Sequence, residues 1–222
     1  MVTADVVDAY EPFRAMHAVL DIARLPILSA ASQETVVKGM RIFAERHEET
    51  LAALQPGRDL SGHFHISIDP AVASGERVLT GEVIPFSEFL GPGYDIDRDE
   101  IRLFSYSKGG RSSLFVDEEF AGALLDPPYG LRHPSVPWAA EPFSPAYGVH
   151  EAAWMRDVLR AFCREVLALE DPKHTAHLEV RRWPTDWSNY FAAGHEWWGA
   201  FFWTIEDTKN GWVTIIAASS TD

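Results

Sequence analysis

The chain has 222 residues, of which 46% are hydrophobic and 23% charged, a composition typical of a globular protein with a proper core. Its formal net charge of −14 disfavours nucleic acid and anionic membranes as partners. A single cysteine excludes an internal disulfide, no apolar run reaches the ~18 residues of a membrane-spanning helix, and the N-terminus lacks a signal-peptide pattern, so a cytoplasmic protein is predicted.

The first quarter of the chain is predicted to hold two helices. Residues 4–22 show helical spacing that is interrupted near Pro12. The clearer helix covers about 32–55, where apolar residues recur every three or four positions, Ser32 can cap the first turn, and a Pro-Gly pair follows the last turn. His47 lies on the apolar stripe and is predicted to be a hydrogen-bonded histidine at the margin of the core.

The middle of the chain is predicted to be rich in strands. In GHFHISID, Phe64, Ile66 and Ile68 alternate with His63 and His65, which predicts a half-buried strand with the histidines more exposed. RVLTGEVIPF and EIRLFSYS follow as strands, and a KGG turn pairs the latter with RSSLFV as a hairpin. DEEFAGALL is then predicted to form a short helix.

His63 and His65 form an H-x-H pair that zinc could use, with Asp69, His133 or His150 as a third ligand. No metalloenzyme motif accompanies the pair. The acidic stretch DIDRDE lacks the glycine and the distant glutamate of an EF-hand, which favours a solvated turn. We therefore expect no metal site and no cofactor.

Six of the fourteen prolines lie within 126–145, where regular structure is not expected. This segment is either a linker between 1–125 and 146–222 or a loop that covers part of one domain over 1–222. Aromatic residues such as Trp138 favour the ordered loop, because a free linker rarely carries such anchors.

The last third is predicted to contain a helix over about 149–169, with Cys163 beside its apolar stripe as a small buried hydrophobe. HTAHLEVRRW, EWWGAFFWTIE and GWVTIIAASS follow as strands, and DTKNG joins the last two as an antiparallel hairpin. The predicted fold is one α+β domain, with a mostly antiparallel sheet, two main helices (about 32–55 and 149–169), and a C-terminal three-stranded antiparallel unit.

Residues 196–206 are predicted to form a central strand, because both of its faces are apolar. Trp203 faces one side, which the helix at 149–169 is expected to cover. Trp198 faces the other side. That side is either covered by the N-terminal helices or the proline-rich loop, or left open as a functional surface.

The preceding strand suggests what such a surface would contain. Strand alternation places His177, Glu179, Arg181 and Trp183 on the side opposite to Leu178 and Val180. The predicted binding residues are these four together with Trp198, since arginine and tryptophan often dominate binding energy. If the protein is an enzyme, His177 and Glu179 form the best acid–base pair, with His195 as a third group.

Two functions are consistent with these patterns. The first is an acidic protein-binding protein, of the inhibitor or immunity type, that neutralises a basic partner. The alternative is a small-molecule-binding protein or enzyme with an aromatic pocket and the His/Glu pair. A deep pocket with converging histidine and glutamate would favour the second, whereas a flat aromatic patch rimmed by acids would favour the first.

Overall fold

A computed structural model describes residues 19–27, 31–108, 111–115, 119–127, 131, 152–196 and 199–219. In chain order the strands are β1 (Leu20–Pro26), β2 (Glu82–Ile84), β3 (Tyr94–Asp95), β4 (Glu100–Ile101), β5 (Phe104–Lys108), β6 (Arg111–Phe115), β7 (Leu178–Arg182), β8 (Ala200–Asp207) and β9 (Trp212–Ser219). The helices are α1 (Gln33–Leu54), α2 (Pro70–Ser74), α3 (Phe86–Leu90), α4 (Glu119–Leu125), α5 (Ala152–Glu165) and α6 (Ala192–Glu196), with a 3₁₀ turn at Asn189–Phe191. None of the described helices is long and apolar enough to cross a membrane.

Five strands form one antiparallel sheet in the order β1-β9-β8-β7-β2. β7, β8 and β9 are consecutive neighbours, which confirms the predicted C-terminal three-stranded unit and the hairpin between its last two strands. β1 and β2 extend this unit at its two edges. One sheet therefore takes strands from both ends of the chain.

α5 covers one face of the sheet, as predicted. Its apolar stripe, which includes Leu159 and Phe162, packs with Trp203 in one buried cluster. Trp203 is fully buried and meets the rings of Phe89 and Phe120 edge-on, at centroid distances of 5.4 and 6.0 Å. The face of β8 that carries Trp203 is thus part of the core.

α1 covers the opposite face, and with α5 it confirms the α+β fold with two main helices. Met40 and Phe43 pack in a second cluster with Phe202 and Ile215 of the sheet. Gly39 brings the helix close to β9, because a Cβ atom at this position would lie 2.6 Å from Cδ1 of Ile215. Both faces of β8 are therefore enclosed by helices.

The predicted helix at 4–22 is wrong at its C-terminal end. Leu20 begins β1, which pairs with β9 from Leu20 opposite Ala218 to Pro26 opposite Trp212. Apolar residues on both sides of this short segment suit a strand that lies between the two helical layers. The rest of the predicted helix lies outside the described residues.

The predicted strand GHFHISID is also wrong. Within it only Ile68 makes a bridge, with Ser188, and Phe64 is 53% exposed instead of buried. Its backbone is held by a side chain, because the Asn189 amide donates to the His65 carbonyl (2.8 Å) and accepts from the Ser67 amide (2.7 Å). His65 is exposed, as predicted, but His63, Ile66 and Ile68 are all half-buried, so the expected contrast between apolar and histidine positions is not present in this segment.

The remaining local predictions hold with shorter bounds. RVLTGEVIPF contributes only β2, EIRLFSYS is divided into β4 and β5, and the β5–β6 hairpin and helix α4 are present. α5 ends at Glu165, after which Ala168 has a positive φ of 53° and the buried Leu169 continues the apolar stripe. Almost all of the proline-rich segment lies outside the described residues.

Candidate functional site

Trp183 belongs to the core beneath α1 and not to an open surface. It is 5% exposed, and its indole Nε1–H donates to the hydroxyl of Thr204, which is also buried, at 2.9 Å. This burial does not fit the expected binding surface, since Gly81 lies against the indole ring, where a Cβ atom would be 2.8 Å from Cε2 of Trp183. Trp198 lies outside the described residues, so its predicted binding role stays a prediction.

Glu179 and Arg181 are paired with each other at the periphery of the same face. The Arg181 guanidinium donates to one Glu179 oxygen through Nη2 (2.6 Å) and Nε (2.8 Å). Arg181 lies opposite Val83 of β2, the edge strand of the sheet. Both side chains are partly exposed, so their predicted role in binding stays a prediction.

A cleft of about 720 Å³ opens beside the start of β7. His177 and Glu179 line it together with apolar residues such as Phe86 and Ile96. Among the described contacts, no hydrogen bond joins the His177 ring to the Glu179 carboxylate, which Arg181 already engages. The cleft therefore holds both predicted acid–base residues without assembling them as a pair.

His195 lines a different cleft of about 640 Å³, beside the 3₁₀ turn. Its Nε2 atom lies 3.2 Å from the Thr185 hydroxyl. Asp69 and Asp186 line the same cleft, and Arg77 bridges their carboxylates at 3.3 and 2.6 Å. The structure thus separates His195 from His177 and Glu179 and gives it a hydroxyl neighbour.

The predicted H-x-H pair does not present two free ring nitrogens. His65 Nδ1 lies 2.6 Å from Oε1 of Glu48, and its Nε2 lies 3.0 Å from the Leu60 carbonyl oxygen. Asp69 caps α2 through the Ala71 amide. The described ranges contain no group of three or more residues that could hold a metal ion, and His133 and His150 lie outside them.

The acidic stretch DIDRDE forms the turn between β3 and β4. The Asp95 carboxylate accepts the backbone amides of Arg98 (3.0 Å) and Asp97 (3.1 Å) and is also bound by Arg102. The Arg98 amide is the main cause that lowers the pKa of Asp95. These bonds occupy the carboxylate, in agreement with the predicted turn.

An exposed apolar surface lies at the far end of α1. Burial of the helix ends at Phe43, but its apolar stripe continues through His47, Leu51 and Leu54 for about 16 Å. Leu54 is 73% exposed. The Phe64 ring packs edge-on against His47 with centroids 5.9 Å apart, and the Phe64 carbonyl lies 2.9 Å from His47 Nε2. We call the exposed Leu54 and Phe64, together with the half-buried Leu51, the distal patch.

Carboxylates flank the distal patch. Glu45, Glu48 and Glu49 lie on the same extension of α1, and its last turn contains no basic residue. Like charges three or four positions apart destabilise an isolated helix. This end of α1 is therefore both apolar and acidic without contributing to the core.

The sequence contains a signal for this surface in addition to its apolar periodicity. The apolar spacing over 32–55 does not show where the core ends, whereas a 22-residue helix is about 33 Å long and extends past the buried segment that ends at Phe43. The three glutamates between positions 45 and 49 mark the end that leaves the core.

Comparison of the chain with protein-family models, with curated proteins and with solved structures finds no match of any of the three kinds. The geometry of the chain itself is therefore the basis on which its function is inferred.

Proposed function

We propose that the protein binds a basic protein partner through the distal patch and acts as an inhibitor or immunity-type protein that neutralises it. The observation that carries the proposal is the exposure of Leu54 at the end of α1 and of Phe64 on the loop beside it, next to a part of the helix that carries three glutamates. Exposed apolar residues surrounded by polar groups are typical of protein interaction sites.

Charge complementarity supports a basic partner. The chain has a net charge of −14, and Glu45, Glu48 and Glu49 concentrate negative charge beside the patch. Opposite potentials accelerate encounter, while an aromatic side chain that enters a pocket of the partner supplies most of the affinity. Phe64 would be this anchor, with the carboxylates as its rim.

The test uses matched apolar surface positions on the same chain. The immobilised protein would capture binders from extracts of its own source at low salt, and the affinity of the main captured protein would then be measured by calorimetry. We expect this protein to be basic, and we expect Phe64→Ala to raise its Kd by about tenfold or more, the effect of a moderate hot spot.

Val78→Ala and Val83→Ala are the controls, because these valines are also largely exposed (75% and 55%) but lie on other elements. They should leave the Kd within about twofold of the parent value. Binding that survives Phe64→Ala and Leu54→Ala, or that is lost in Val83→Ala, would place the interface elsewhere and overturn the proposal.

A second candidate function, binding of a small molecule, has one observation in its favour. The cleft at β7 has a volume of about 720 Å³, within the range of ligand pockets, and holds His177 and Glu179. A thermal-shift screen of polar metabolites tests it. A hit counts only if His177→Ala abolishes the shift while His174→Ala, which changes an exposed histidine outside the cleft lining, retains it.

A further inference from the structure

The loop that carries Phe64 is held on α1 by a histidine whose two ring nitrogens both face acceptors. His65 Nδ1 lies 2.6 Å from the Glu48 carboxylate, and Nε2 lies 3.0 Å from the Leu60 carbonyl oxygen. Neither acceptor can donate a proton when Glu48 is ionised. Both contacts are hydrogen bonds only when the ring carries two protons, that is, when it is an imidazolium.

A neutral ring can satisfy only one of the two acceptors. Whichever nitrogen loses its proton then turns a lone pair towards an oxygen, and that contact becomes repulsive. One lost bond separates the loop from Glu48 of α1. The other releases the His65 ring from the Leu60 carbonyl, which the His63 amide continues to bind at 2.9 Å. In either case the segment between Leu60 and His65 loses a restraint.

We propose that His65 is a pH-sensitive clasp, which holds the loop bearing Phe64 against α1 when its ring is protonated and loosens the loop when the ring is neutral. The clasp would regulate the distal patch, and this consequence rests on the proposed function. The loosening itself is a property of the chain alone and can be measured without a partner.

The groups around the His65 ring show that its charge acts mainly on Glu48. On α1, Glu48 is the charged group that meets the His65 ring, and from the segment after β7 the neutral amide of Asn189 binds only the His65 backbone. Within the described chain, the ring has no further contact with a titratable side chain. His47 requires a proton on Nε2 alone to bind the Phe64 carbonyl, which a neutral ring can provide.

The direction of the pH dependence follows from the same contacts. The hydrogen bond to Glu48, and after it the bond to the Leu60 carbonyl, raises the pKa of His65 above its ordinary value of 6.5. The folded state therefore holds the proton more tightly than the unfolded state. The clasp is fully formed below about pH 6.5 and is lost as the pH rises through the raised pKa.

NMR titration of the His65 ring tests the clasp. We expect the pKa of His65 to lie above the ordinary histidine value of 6.5, and Glu48→Gln to remove most of this elevation. Amide hydrogen exchange at 60–66, expressed as protection factors, should show a loss of about two- to fivefold across the His65 titration, the range for an exposed ion pair.

Two variants separate the clasp from general destabilisation. His65→Gln should show the low protection at every pH, whereas His63→Gln should behave as the parent protein. A His65 ring whose pKa is not above its ordinary value of 6.5, or protection at 60–66 that does not change with pH, would overturn the proposal. Failure of the distal patch to bind a partner would overturn the proposed function and leave these measurements unaffected.

Discussion

The buried hydrogen bond between Trp183 and Thr204 makes the core role of Trp183 measurable. Thr204→Val keeps the shape of the side chain but removes the oxygen that accepts the indole Nε1–H at 2.9 Å. Trp183 is 5% exposed and Thr204 is fully buried, so water cannot replace the lost acceptor without a rearrangement of the core.

The expected magnitude follows from the burial of both partners. Thr204→Val leaves the buried indole donor without its partner, which should lower the free energy of unfolding by about 1–3 kcal/mol. Trp183→Phe leaves the Thr204 hydroxyl without its partner and also creates a cavity, so its cost should be about 2–4 kcal/mol. In the double variant neither polar group remains, and the loss should be smaller than the sum by about 1 kcal/mol.

Equilibrium unfolding in urea, followed by far-ultraviolet circular dichroism, measures all three variants without relying on the fluorescence of the altered tryptophan. Additivity within about 0.5 kcal/mol would contradict a direct bond between the two side chains. A Thr204→Val variant as stable as the parent would show that the indole is solvated, and the interpretation of Trp183 as core would then fail.

Three further predictions concern other buried positions. Gly39→Ala should cost about 1–2 kcal/mol in urea unfolding, because overpacking against Ile215, 2.6 Å from the new Cβ, exceeds the ~1 kcal/mol gain in helix propensity; a stabilised variant would contradict the close packing of α1. Burial raises the pKa of the Cys163 thiol to about 12, so a disulfide reagent at pH 8 should modify it only in denaturant. Asp207→Ala should lower the free energy of unfolding by about 1–3 kcal/mol, since its buried carboxylate accepts the backbone and side-chain N–H groups of Asn210. Asn210→Ala is the comparison and should lower it by less.

The periodicity of the sequence was sufficient to predict the two main helices, the β8–β9 hairpin and the burial of Trp203. It was insufficient at Phe64, whose alternation with neighbouring residues suggested a strand, because no strand of the described chain lies beside this segment to pair with it. It was equally insufficient at His177 and His195, which were grouped as one site but line two separate clefts.

What the sequence by itself determined is therefore the type and the apolar face of most elements, since both depend on residues a few positions apart. Only the tertiary structure decided what covers each face, because that depends on contacts between distant segments. Trp183 is core because it packs against Gly81 and shares a buried cluster with residues of α1, both of which lie far earlier in the chain. Phe64 is exposed beside the part of α1 that follows its last buried residue, Phe43. The candidate site is the part of an apolar stripe that the fold leaves uncovered, and local periodicity carries no information about where that cover ends.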